Sequence, residues 1–134
     1  MNIVIDTNIL FSALLKEDHA FLNCIFLSDL HFFSVNAVAV EIFKHKEKIC
    51  KLTSLDENSV LEVLARLFSR ITLINMDLIS EESRKRAFDL CKDIDPKDSV
   101  FVALAIEIDG FLWTGDKKLI QGLQNSGFSR FFSP

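Results

Sequence analysis

The chain has 134 residues, nearly half of them hydrophobic, with a formal net charge of −4. That length fits one domain, residues 1–134, with enough apolar content for a buried core. The charge excludes a global positive field that would recruit nucleic acid, so a polyanion partner needs local basic patches or a bound metal.

Asn2 to Ile5 is short, β-branched and apolar on both faces, which predicts a central parallel strand covered on both sides. The Asp6-Thr7-Asn8 run breaks it and offers caps for a helix over Ile9 to Leu15. A second helix is predicted over Ala20 to Leu30, with Phe21, Cys24, Ile25 and Leu27 on or near one face. His31 to Asn36 reads as a strand ending in a helix N-cap. One helix then spans Ala37 to Lys51, with Val38, Ile42, His45 and Ile49 on one stripe. The pattern repeats over Asp56 to Phe68 through Val60, Leu61, Leu64 and Leu67. Arg70 to Asn75 is a strand, and Asp77 to Lys92 a charged helix burying Ala87, Leu90 and Cys91. Asp98 to Ile108 is a strongly apolar helix expected in the middle of the domain. Gly110 to Thr114 is a strand, Asp116 to Gly127 a helix, and Ser129 to Phe132 a last short strand.

Alternating strands and helices, beginning with a strand, argue an α/β domain around a mostly parallel sheet with right-handed crossovers. Cys24, Cys50 and Cys91 are an odd, widely spread set without a CxxC pair. They make neither a disulfide framework nor a zinc site, and read as reduced core thiols in a cytoplasmic protein. The first apolar run is cut by Asp6, and the longest, Val100 to Ile106, is far short of the ~20 residues that span a bilayer. No signal segment and no membrane contact are expected.

The chemistry is carried by four acids at the ends of apolar elements. Asp6 follows the first strand, Glu41 edges a helical stripe, Asp98 opens the apolar helix, and Asp116 follows the strand ending in Thr114. Ligands of such sheets gather beyond the carboxyl ends of the strands, where Asp6 and Asp116 stand and where Glu41 and Asp98 are expected to face. Each acid also has an ordinary reading. Asp6 and Asp116 suit turn or cap positions, Glu41 an exposed pair with a lysine, and Asp98 the dipole-favoured third position after an Asp95 cap and Pro96. Acids at buried element ends are costly unless a partner offsets their desolvation, and a divalent cation held by converging carboxylates does so. Mg²⁺ and Mn²⁺ prefer such oxygen ligands.

Asn8 reads either as a group that orients a carboxylate or a water or as a helix cap, Thr114 as a hydrogen-bond partner for a carboxylate or a metal-bound water, and His45 lies one turn from Glu41. His19, His31 and His45 all fall outside the acidic motifs, so no histidine stands out as a general base. Lys97, Lys117 and Lys118 flank the last two motifs and read equally as phosphate contacts or as solvated helix ends. The chain has no GxSxG, P-loop or GxGxxG motif. Asn8 also stands where a phosphoaspartate enzyme of the haloacid-dehalogenase type carries a second acid.

The segments "IVIDTNIL", "DSVFVALAIE" and "LWTGDKKL", with a helix glutamate between them, resemble the PIN-domain nucleases. They look most like the toxin component of VapBC-type toxin–antitoxin pairs. The resemblance implies a three-layer α/β/α sandwich with a mostly parallel sheet and Mg²⁺- or Mn²⁺-dependent endonuclease chemistry on RNA. It places metal-binding acids at Asp6, Glu41, Asp98 and Asp116, with Thr7, Asn8, Thr114 and Asp95 in support. It also implies a cognate antitoxin and a homodimer. The rival reading keeps the scaffold as a non-catalytic module that binds RNA or a protein without cutting.

Overall fold

A computed structural model describes residues 1–15 and 20–134. Among the described residues the strands form one four-stranded parallel sheet in the order β3-β2-β1-β4. The strands are β1 (Asn2–Ile5), β2 (His31–Val35), β3 (Ile71–Ile74) and β4 (Phe111–Trp113). Ile3, Val4 and Ile5 are 0% exposed, as a central strand with cover on both faces requires.

The connections explain that cover. From β1 to β2 run α1 (Thr7–Leu15) and α2 (Ala20–Leu27). From β2 to β3 run α3 (Ala37–Lys44), α4 (Lys46–Thr53) and α5 (Glu57–Ser69). Both crossovers step the same way across the sheet, so right-handedness puts these helices on one face. The return from β3 to β4 crosses the whole sheet in the opposite direction, carrying α6 (Glu81–Cys91) and α7 (Ser99–Glu107) to the other face. There α7 packs on β1, β2 and β4, and α6 lies against α7. After β4 comes α8 (Lys117–Asn125), which touches α6. The result is the α/β fold with helices on both faces of a parallel sheet.

Several expected elements take a different form. The helix predicted over Ala37 to Lys51 is two helices, because the chain turns at His45, which ends α3 and precedes α4. Val38, Ile42 and Ile49 stay buried across the break, which is why one periodic stripe concealed it, while His45 is exposed. Asn36 makes no side-chain cap; its Oδ1 accepts from the Met76 N–H at 3.2 Å instead. The helix predicted from Asp77 starts later. Met76–Leu78 form a 3-10 turn, and Ser80 caps α6 by accepting from the Ser83 N–H. The helix predicted to Leu30 ends at Leu27, and the final strand shrinks to a single bridge between Phe131 and Leu112. The Phe131 N–H bonds back to the Ser129 carbonyl, so that donor is lost to any ladder.

In α7, Phe101 to Ala105 are all buried, matching a helix in the middle of the molecule. Cys91 is buried and Cys24 and Cys50 are half-buried, all three as free thiols. Among the described residues no helix is long and apolar enough to cross a membrane.

Candidate active site

The sheet order creates a crevice between β1 and β4, where the chain leaves the two strands toward opposite faces. The parallel register pairs Ile5 with Trp113, so Asp6 and Thr114 are the next residues in line. The Asp6 N–H donates to the Trp113 carbonyl at 3.3 Å and extends that pairing. Asp6 is only 3% exposed. Its Oδ1 accepts from the Ile9 N–H at 2.9 Å, which also caps α1. Burial pushes the Asp6 carboxyl above its ordinary value. A hydrogen bond from Thr114 and the backbone N–H groups of Ile9 and Asn8 act against this, and the nearby charge of Asp116 adds to it.

Asp98 reaches the same place from α7. Asp95 accepts from the Lys97 N–H, Pro96 follows, and Pro96–Asp98 wind as a 3-10 turn before the α-helix begins. The tighter first turn moves Asp98 from the expected third helical position to the N-cap of α7, where its side chain makes no capping bond. Its half-buried carboxyl is pushed up to about 6, by burial first and then by the charges of Asp95, Asp6 and Asp116. That mutual pressure is the electrostatic signature of carboxylates sharing one region. Cys91 lies beneath them. Burial, with Asp98 and Asp95 adding, pushes its thiol up to about 11, so it stays protonated.

Asp116 serves as a cap as well. Its Oδ1 accepts from the Lys118 and Leu119 N–H groups at 3.0 and 3.1 Å, and its own N–H donates to the Thr114 hydroxyl at 3.2 Å. Glu41 projects from α3, with His45 Nε2 3.8 Å from its carboxylate. Asp6, Glu41, Asp95 and Asp98 line one cleft of about 610 Å³, together with Thr7, Asn8, Lys97 and His45. Its apolar wall includes Phe11, Val38, Val100 and Phe101.

Lys117 and Lys118 do not line this cleft; they are exposed at the start of α8. Of the other two histidines, His31 begins β2 and His19 lies outside the described residues. Phe11 was not anticipated, although it sits one turn after Asn8 on α1 and packs edge-on against His45 at 5.7 Å. Its helical spacing from Asn8 was the available signal.

Among the described residues, no three acids, histidines or cysteines stand close enough to ligate one ion as arranged. The chemistry of the set nonetheless fits a hard cation. All four donors are carboxylates, two of them raised by burial and mutual repulsion that a positive charge would relieve.

Fold and site together define the class: a parallel α/β domain with an acid-lined cleft at the carboxyl ends of its central strands. The PIN domain family model matches residues 4–131, and the chain belongs to that family. A crystal structure of VapBC2 from Rickettsia felis bound to a DNA fragment from their promoter contains a chain of similar fold. The TM-score is 0.68 at 19% identity, covering 90% of this chain and 92% of that one. Among curated proteins none matches the sequence.

Proposed function

We propose that this chain is a divalent-metal-dependent endoribonuclease, acting as one nuclease domain over residues 1–134 and serving as the toxin of a VapBC-type pair. The observation that carries the reading is the convergence of acids from four separate elements on the end of β1. Asp6, Glu41 and Asp98 line the cleft, and Asp116 presses electrostatically on Asp6 and Asp98. Membership of the PIN family and the fold shared with a VapBC2 chain support it.

Asp6, Glu41, Asp98 and Asp116 would hold Mg²⁺ or Mn²⁺, with Asp95 at the rim. When bound, such a cation neutralises phosphate charge and lowers the pKa of a water for in-line hydrolysis of a phosphodiester. The chain's own residues fix the geometry. Thr114 and the α1 backbone N–H groups hold the Asp6 carboxylate in one orientation. Thr7 and Asn8 face the bound strand from the start of α1, and Lys97 is the cleft's lysine for a backbone phosphate. Lys117 and Lys118 stand outside the cleft, where only a longer RNA meets them. The same reading gives a cytoplasmic protein that forms a homodimer and is held inactive by a cognate antitoxin.

Cleavage of RNA with Mg²⁺ or Mn²⁺ tests this. EDTA should abolish it, and Asp6→Asn or Asp98→Asn should each lower the rate by at least about 100-fold. Metal-independent cleavage, or full activity in both variants, would remove the mechanism. Tight RNA binding without any cleavage would favour the non-catalytic module.

A further inference from the structure

A second groove, of about 340 Å³, runs on from the acidic cleft, and Val100 lines both. Its floor comes from α7 through Ser99, Val100 and Ala103. Its wall comes from α6 and the preceding turn, with Arg84, Phe88 and Met76. Two features of that wall need an explanation. Phe88 is 57% exposed, although aromatic rings are normally drawn into the core. Arg84 has no acidic partner among the described residues; Nη2 instead donates to the Met76 carbonyl at 2.7 Å, which fixes the guanidinium beside the groove.

Arg84 and Phe88 are four residues apart on α6, hence neighbours on one helix face. An oriented cation next to an exposed ring matches a single nucleotide, whose phosphate takes the charge and whose base takes the π-face. The protein's net charge of −4 makes a local cation the more significant for a polyanion. Asp77 also lines the groove, next in sequence to the Met76 carbonyl that Arg84 bonds, and Arg84 is the one cation among the lining residues.

We infer that this groove is the track for single-stranded RNA beyond the scissile phosphate, with Phe88 stacking one base and Arg84 holding an adjacent phosphate. The inference rests on the nuclease reading for the polymer's identity and adds to it a substrate subsite and a preference for unpaired RNA. Phe88 and Arg84 touch none of the acids, so they act on affinity and not on the chemical step.

The test is fluorescence anisotropy of a labelled single-stranded oligoribonucleotide of about ten nucleotides in EDTA, with cleavage in Mn²⁺ scored separately on the same RNA. Phe88→Leu keeps most of the apolar volume and removes the ring, while Arg84→Gln keeps the length and removes the charge. Each should weaken binding about tenfold, with Phe88→Trp close to wild type, as base stacking requires. A duplex of the same sequence should bind all variants equally. Unchanged affinity in both Phe88→Leu and Arg84→Gln overturns the proposal, even if the wild type cleaves. Weakened binding with no cleavage by any form leaves the groove standing and removes the nuclease. Unchanged RNA affinity with a dimer converted to monomer in sedimentation reassigns the groove to contact between copies and also overturns it.

Discussion

The Thr114 hydroxyl meets both acids of the β1–β4 crevice. It hydrogen-bonds the Asp6 carboxylate and accepts from the Asp116 N–H at 3.2 Å. Losing it frees the rotamer of Asp6 and loosens the turn that aims Asp116. Groups that orient ligands in this way are typically worth about 10–100-fold in metal affinity or activity. Thr114→Val should therefore weaken Mn²⁺ binding by that factor in calorimetry, and Thr114→Ser should restore it. Equal affinity in the valine variant would reduce Thr114 to a strand residue. In the sequence Thr114 is visible two residues before Asp116, but its reach to Asp6 depends on the β1–β4 register, which no local pattern encodes.

At the scale of elements, the approach of β4 to β1 is set by a glycine. A Cβ on Gly110 would stand 2.8 Å from the Asn2 backbone carbonyl oxygen, and a carbonyl in a strand cannot move aside as a flexible side chain does. The Gly110 N–H also closes the end of α7 on the Ala105 carbonyl at 2.8 Å. Gly110→Ala should destabilise the fold by about 1–3 kcal/mol in urea unfolding, the usual range for overpacking. A loss under about 0.5 kcal/mol, the usual limit for surface changes, would show that the strands have slack. The strands themselves were legible because β1, β3 and β4 are short apolar runs bounded by polar or glycine residues. The breaks at His45 and before Ser80 were not. At His45 the residues on both sides bury the same stripe, so periodicity carries on across a change of axis; before Ser80 the turn Met76–Leu78 buries none of its residues and follows from the local Asn75 and Ser80 caps. The groove beside α6 was illegible for a related reason. Phe88 lies in a charged helix, and its exposure follows from where α7 and the Met76 turn come to rest.

For the molecule as a whole, gathering acids at one end of the sheet costs stability. Asp98 has an ordinary value of 3.8 and is pushed up to about 6 in the fold, so the folded state binds its proton more tightly than the unfolded chain does. The ionised carboxylate therefore opposes folding above about pH 6, and the penalty fades as pH falls through that value toward 3.8. In EDTA, Asp98→Asn should be more stable than wild type at pH 7.5, by roughly 1 kcal/mol after discounting for solvent screening of a half-exposed group. The two should melt together near the ordinary carboxyl value of 3.8. An asparagine variant that melts lower at pH 7.5 would mean that the carboxylate is a structural contact. The general position of this end of the sheet followed from the strand–helix alternation, since ligands of such sheets gather beyond the strand ends. Its electrostatics did not, because they arise from residues as distant in sequence as Asp6 and Asp116.

The pairing of β1 with Phe111–Trp113 has a temporal consequence. During synthesis, residues 2–5 can pair early with β2, but their second neighbour, β4, is translated more than a hundred positions later. Until that neighbour leaves the ribosome, Asp6 has neither Thr114 nor Asp116 beside it. A growing polypeptide therefore completes its acidic end only once residues 114–116 have been translated.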